Sequence, residues 1–216
     1  MWWNYVVDRW AQIWFGSWQH FSLVVQSLIL ATVVALLIAF IVYNSPKLSS
    51  VANGVSAIGL TIPSFALIGI LIVPFGFGVI PSVIVVTFFA TLPILRNAVV
   101  GLQGIDAAVV ESARGIGMGR LRTLLTIEFP LAWPIILTGV RISAQMVMGV
   151  AAVTAYALGP GLGGFIFSGL SRLGGANAID SVWVGVLGVV ILALILDLLL
   201  VGLGRLTISR GIRVRN

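Results

Sequence analysis

The chain has 216 residues, of which 60% are hydrophobic and 8% charged, with a formal net charge of +6. A mean hydropathy of +1.17 is incompatible with a soluble domain of this size, whose surface must be largely polar, so the solvent is lipid. The absence of cysteine excludes disulfides and thiolate metal sites, and a lone histidine, His20, cannot assemble a histidine cluster.

Residues 1–20 contain Trp3, Trp10, Trp14 and Trp18 at helical spacing, with Trp2 beside them. Tryptophan favours the membrane–water boundary, so an interfacial helix leading into the first span is expected, with His20 as an interfacial side chain at its end. The segment lacks the basic start, short apolar core and small-residue cleavage site of a signal peptide. No formal charge lies between Arg9 and Lys47 or between Lys47 and Arg96, and about 20 apolar residues cross the hydrocarbon as a helix. Five spans are expected, at Phe21–Tyr43, Asn53–Val73, Pro81–Gly101, Leu131–Leu158 and Val182–Leu203, in an all-α integral membrane protein.

Loops facing the cytoplasm carry excess Lys and Arg. One side of a five-span chain holds Lys47, Arg114, Arg120, Arg122, Arg205, Arg210, Arg213 and Arg215; the other holds Arg9 and Arg172. The first side is therefore expected to be cytoplasmic, with the N-terminus outside and a basic cytoplasmic tail over 204–216. That tail flanks a helix end, so topology and anionic lipid headgroups account for its charge and no nucleic-acid partner is expected.

Between the third and fourth spans, residues 106–130 carry charges and are broken by glycine. Asp106 can cap a helix with Val109, Val110, Ala113 and Ile116 on one face, while Glu111 and Arg114, three residues apart, can pair. Gly115, Gly117 and Gly119 permit a sharp turn into a second short helix carrying Leu121, Leu124 and Leu125, which Pro130 is expected to end.

Within the spans, Arg141 lies about 15 Å along its helix from Leu131, and Asp197 lies about 9 Å from the end of its own span. An intramembrane charge normally faces protein or a wet cavity, so an ion pair between these two is the favoured expectation, with a pathway or gating role as the alternative. Arg96 reaches the interface more simply. Thr61, Ser64, Phe65, Thr87, Phe88, Thr91, Gln145 and Tyr156 could line a path, although membrane helices also use Ser and Thr for packing. Gly159, Gly161 and Gly164 match G-x-G-x-x-G literally but follow a membrane span rather than a strand, which favours close packing or a flexible outer gate over a dinucleotide site.

The spacing Glu111-Ser112-Ala113, Gly117, Ile127 and Phe129-Pro130 resembles the EAA loop of ABC importer permeases, E-A-A-x3-G-x9-I-x-L-P, departing from it at Ser112 and Phe129. The runs Ile62 to Leu102 and Gly139 to Leu170 are similar to the osmoprotectant branch of that family, which imports glycine betaine, carnitine or choline. The resemblance implies one permease domain over 1–216 in a bacterial or archaeal cell membrane, with residues 106–130 as a coupling loop in which Glu111, Ser112, Ala113, Gly117, Ile127 and Pro130 meet the ATPase. It also implies three partners: ATPase subunits, an extracytoplasmic binding protein, and a second permease copy or a related permease. No phosphate loop G-x-x-x-x-G-K-[ST] is present, so ATP hydrolysis falls to another polypeptide and no cofactor is expected. A secondary transporter would favour an internal repeat, which the sequence lacks, and a scaffold would not need the full loop spacing.

Overall fold

The computed structural model describes residues 2–208, so Arg210, Arg213 and Arg215 of the expected basic tail lie outside the described residues. Every regular element among the described residues is helical. Helix α1 (Trp2–Asp8) turns at Arg9 (φ −113°, ψ 14°) into α2 (Trp10–Val42), a helix of 33 residues. The expectation of a separate interfacial helix over 1–20 is corrected: the break falls at Arg9, and residues 10–20 belong to the first span. Nothing between Trp10 and His20 interrupts a helix. One face of this segment is buried, with Gly16 set against Leu162 and Phe165, while Trp10, Trp14 and Trp18 on the other face are 60–67% exposed. At about 1.5 Å per residue α2 is about 50 Å long, so its tryptophan-bearing turns extend past a hydrocarbon layer of about 30 Å.

The expected second span is also corrected. In place of one helix over 53–73 there are α3 (Pro46–Gly59) and α4 (Ser64–Phe75), which meet at 93°. Ser45 caps α3 by accepting a hydrogen bond from the Leu48 amide. Pro63, which precedes α4 with ψ 126°, forces the break because a proline ring clashes with a helical residue before it and offers no amide to continue the ladder. Among the described residues, four helical stretches, Trp10–Val42, Val79–Gln103, Arg120–Ala157 and Ala178–Thr207, are long and apolar enough to cross a membrane; α3 and α4 supply a fifth crossing only if taken together.

Helix α5 (Val79–Gln103) is the centre of the bundle, and α2, α3, α4 and α8 (Phe129–Val153) all pack on it. Its Val85, Phe89, Ala90, Ile94, Ala98 and Val99 meet a largely small-residue core that includes Ala31, Ala35 and Ala39 of α2 and Ala132, Ala144 and Ala151 of α8. Small side chains let membrane helices approach closely where burial from water offers no driving force. The α5–α8 contact shows how closely: a β-carbon on Gly139 would stand 2.6 Å from Asn97 Cβ, and Ser143 Oγ donates across the interface to the Ala90 carbonyl at 2.8 Å.

Pro130 does not end a helix, contrary to expectation. Helix α7 (Arg120–Thr123) passes through a π turn (Leu124–Glu128) into α8, which continues through a 3-10 turn (Thr154–Ala157). In the π turn the Phe129 amide bonds the Leu124 carbonyl, five residues back. The widened ring relieves the crowding that a proline imposes on a regular α-turn, so the chain continues as one rod from Arg120 to Ala157.

Beyond this rod, Leu158 (φ 58°) and Gly161 (φ +120°) shape the turn into α9 (Gly163–Leu170), and Asn177 (φ 59°) leads into α10 (Ala178–Thr207). The turn is tightly packed. A methyl on Gly163 would collide with the Ala152 carbonyl and stand 2.8 Å from Ala155 Cβ. Gly163→Ala is therefore expected to destabilise the protein by about 1–3 kcal/mol through overpacking. Thermal unfolding in detergent checks this, with Gly164→Ala as the comparison, because no atom lies within 4 Å of a methyl placed there.

Candidate functional site

The segment between α5 and the long rod is built from backbone hydrogen bonds. Helix α6 (Ala107–Gly115) starts at Asp106, whose Oδ1 accepts the Ala108 amide at 2.9 Å, and Ser112 Oγ donates back to the Ala108 carbonyl at 2.7 Å. It ends in a Schellman motif. The Met118 amide reaches the Ala113 carbonyl at 3.1 Å, the Gly117 amide reaches Arg114 at 2.9 Å, and Gly117 takes φ +87°. The extended residue Gly119 (ψ 157°) then redirects the chain into α7.

Only part of the apolar face of this hairpin is covered by the bundle. Ala113, Thr123 and Leu124 are buried, whereas Ile116 is 80%, Leu121 67% and Leu125 53% exposed. Glu111, Ser112, Arg114, Arg120 and Arg122 are exposed around them, Ile127 is half-buried and Pro130 is exposed. Glu111 and Arg114 form no ion pair with one another, contrary to their spacing, and both point to solvent. The result is an apolar ridge with charges of both signs at one end of a membrane bundle, which is the composition of an uncovered protein interface.

Glu128, to which sequence reasoning assigned no role, is 4% exposed. Tyr43, just past the end of α2, hydrogen-bonds its carboxylate, and Gln103 Nε2 donates to the Tyr43 carbonyl at 2.9 Å. Burial, together with the bond to Glu128, raises the Tyr43 hydroxyl above its ordinary range, so it stays protonated and donates. These contacts tie α2, α5 and the π turn together. An acid immediately after Ile127, in a pentad of three aliphatic residues and one threonine, was the available signal.

Deeper in the bundle, Arg141 Nε donates to Asp197 Oδ1 and a terminal guanidinium nitrogen donates to Oδ2, both at 3.0 Å, and Gln145 Nε2 adds a bond to Oδ1 at 3.2 Å. This two-point geometry joins α8 to α10. The pair is not sealed: its side chains are 39% and 23% exposed.

His20 is placed differently from its expected interfacial position. It is fully buried, with Nε2 3.2 Å from the Met148 carbonyl, a contact that needs the Nε2–H tautomer. A β-carbon on Gly161 would lie 2.7 Å from His20 Nδ1, and one on Gly159 2.5 Å from Thr154 Oγ1. Two of the three glycines in the literal G-x-G-x-x-G match thus serve close packing, and the turn follows a helix rather than a strand. Of the expected path-lining residues, Thr61, in the turn after α3, donates to the Ile58 carbonyl, Thr91 donates to the Thr87 carbonyl of its own helix, and Phe88 packs edge-on against Phe89. Phe65 and Tyr156, far apart in sequence, come into ring contact.

A helical bundle of this hydropathy, with an uncovered amphipathic hairpin at one end, defines a membrane component that works with other subunits. Residues 27–208 match the family described as binding-protein-dependent transport system inner membrane component, and the chain belongs to that family. It is a multi-pass membrane subunit of a transport system. Among its relatives, the carnitine transport permease protein OpuCB of Listeria monocytogenes is 34% identical over 84% of this chain and 81% of its own length. The osmoprotectant import permease protein OsmW of Salmonella typhimurium is 32% identical over 97% of this chain and 98% of its own. The choline transport system permease protein OpuBB of Bacillus subtilis is 31% identical over 86% and 84%. The fold is that of a chain from the inward-facing MetNI methionine ABC transporter, with a TM-score of 0.73 at 21% identity, covering 94% of this chain and 99% of that one.

Proposed function

We propose that this chain is the permease subunit of an ABC importer for small quaternary-ammonium osmoprotectants: glycine betaine, carnitine or choline. The observation that carries the reading is the 107–128 hairpin, with its Gly117 turn and its exposed Ile116, Leu121 and Leu125, in a family member whose relatives carry carnitine, choline and osmoprotectant permease names. In this reading Glu111, Ser112, Ala113, Gly117, Ile127 and Pro130 belong to a coupling element that seats on a separate ATPase subunit. An extracytoplasmic binding protein delivers substrate to the opposite end. A second copy of the chain, or a related permease, supplies the other half of the path. Because Lys and Arg favour the cytoplasmic side, the hairpin and the C-terminus face the cytoplasm and the N-terminus lies outside. Arg141 and Asp197 are in this reading a structural pair within the span.

The test is ATP-driven uptake by proteoliposomes holding the permease, its ATPase and its binding protein. Glycine betaine, carnitine or choline is expected to accumulate and methionine is not. Uptake of methionine alone overturns the substrate assignment, and uptake without ATP overturns the transporter class.

A further inference from the structure

Three aromatic side chains converge at the end of the bundle opposite the coupling hairpin. The 3-10 turn carrying Tyr156 follows the 25 residues of α8, about 38 Å from its start. There the Phe65 and Tyr156 ring centroids lie 4.4 Å apart at an interplanar angle of 49°, and those of Tyr156 and Phe167 lie 6.0 Å apart at 56°. The rings come from α4, the 3-10 turn and α9, so three separate elements build the cluster. The 93° bend before Pro63 places Phe65, and the turn through Leu158 and Gly161 returns Phe167 to Tyr156.

Two features separate this cluster from ordinary packing and from a lipid-facing belt. It is open: Tyr156 is 54% and Phe65 48% exposed. It is also convergent, whereas the exposed Trp10, Trp14 and Trp18 lie along one face of a single helix, as an interfacial belt does. The Phe65 and Tyr156 rings touch at one side, tilted at 49°, and each keeps about half of its surface open. Among the described residues, the cation–π contact present is Arg9 over Tyr5, 5.2 Å from the centroid, and no cation of the chain covers the trio.

We propose that Phe65, Tyr156 and Phe167 form a binding site for the quaternary ammonium group of the transported solute, met where the solute enters the permease. The inference rests on the substrate class proposed above. Carnitine, choline and glycine betaine differ in their other groups and share a trimethylammonium. That group offers no N–H and cannot be held by hydrogen-bond acceptors as an ordinary amine is; the negative faces of aromatic rings attract it, and a partly desolvated site strengthens the attraction. The site belongs to the permease itself and has no need of a carboxylate on the solute, so it serves choline as well as the zwitterions.

The experiment is equilibrium binding of radiolabelled choline to the permease–ATPase complex in nanodiscs without the binding protein. Tyr156→Phe gives the reference, and phenylalanines with one, two and three ring fluorines are then introduced at positions 65 and 156. Fluorine preserves ring shape, so folding is not at issue, while it drains the negative ring face. Choline affinity is expected to fall stepwise, to about tenfold weaker in the trifluoro variants. The neutral isostere of choline, with tert-butyl in place of trimethylammonium, is expected to bind equally across the series. A flat choline series, a parallel loss for the neutral isostere, or wild-type choline binding in Tyr156→Leu overturns the site. If proteoliposomes take up choline but the wild-type complex binds none here, the site fails and the substrate class stands; if they take up none of the three solutes, both fail.

Discussion

Arg141→Leu is expected to strand Asp197 as an uncompensated charge within a span and to lower stability by about 2.5–3.5 kcal/mol, the cost of a charge at the centre of a membrane helix. Asp197→Leu is expected to cost a similar amount by stranding the guanidinium. The lower end of the range applies, because side chains that are 39% and 23% exposed retain access to water or to a neighbouring subunit. The double leucine variant leaves neither charge and should recover most of the loss, since replacing both members of an ion pair with apolar groups of similar volume is often close to neutral. Gln145→Leu removes a single hydrogen bond to Asp197 and should cost only about 0.6 kcal/mol. Unfolding in detergent of the wild type, the two single leucine variants and the double variant forms a double-mutant cycle, with Gln145→Leu measured beside it. Additive losses in the double variant would mean that the 3.0 Å contacts contribute no coupling.

Gly117→Val is expected to leave the spans inserted and to uncouple the permease from its ATPase. No atom lies within 4 Å of a β-carbon at this position, so the effect comes from the backbone alone. At φ +87° a side chain costs about 1–2 kcal/mol, and a β-branched one lies at the upper end. Relief of that strain opens the bond from the Met118 amide to Ala113, and α7 loses its direction relative to α6. A penalty of this size corresponds to about five- to thirtyfold in ATPase docking. Gly117→Asn, whose side chain tolerates the left-handed region, should retain most coupling. Glu111→Lys reverses the charge of an exposed residue and should weaken docking without disturbing the turn. Copurification with the ATPase and substrate-stimulated ATP hydrolysis provide the readout. Wild-type values in both Gly117→Val and Glu111→Lys would remove the coupling role from the hairpin.

The sequence carried the helical bundle and the glycine turn plainly, because long apolar runs have one stable form in lipid and the loop spacing is specific. It concealed features that depend on what packs against a helix. The run from Asn53 to Val73 carries no charge, and hydropathy cannot register a 93° change of direction inside it; Pro63, between Thr61 and Ser64, is the local sign. Pro130 normally announces a helix end, and a π turn, which has no sequence signature of its own, overrides that rule. His20 reads as polar and therefore interfacial, yet its ring is enclosed because Met148 accepts its hydrogen bond and Gly161 leaves room for it. Glu128 stays hidden for the same reason: its partner Tyr43 is 85 residues away in the sequence. Phe65, Tyr156 and Phe167 can each be recognised as aromatic, but only the folded chain places them together.

The unbroken rod from Arg120 to Ala157 has 38 residues and is about 57 Å long. Its closest glycine contact with α5 is at Gly139, pressed against Asn97, 19 residues from Arg120 and 18 from Ala157. A beam held at its middle is a seesaw. A tilt of about 5° about that fulcrum displaces each end by about 2.5 Å in opposite directions. The arginine-rich end and the end bearing Tyr156 therefore cannot move independently while the beam stays straight, and its two arms are so nearly equal that neither end gains leverage over the other.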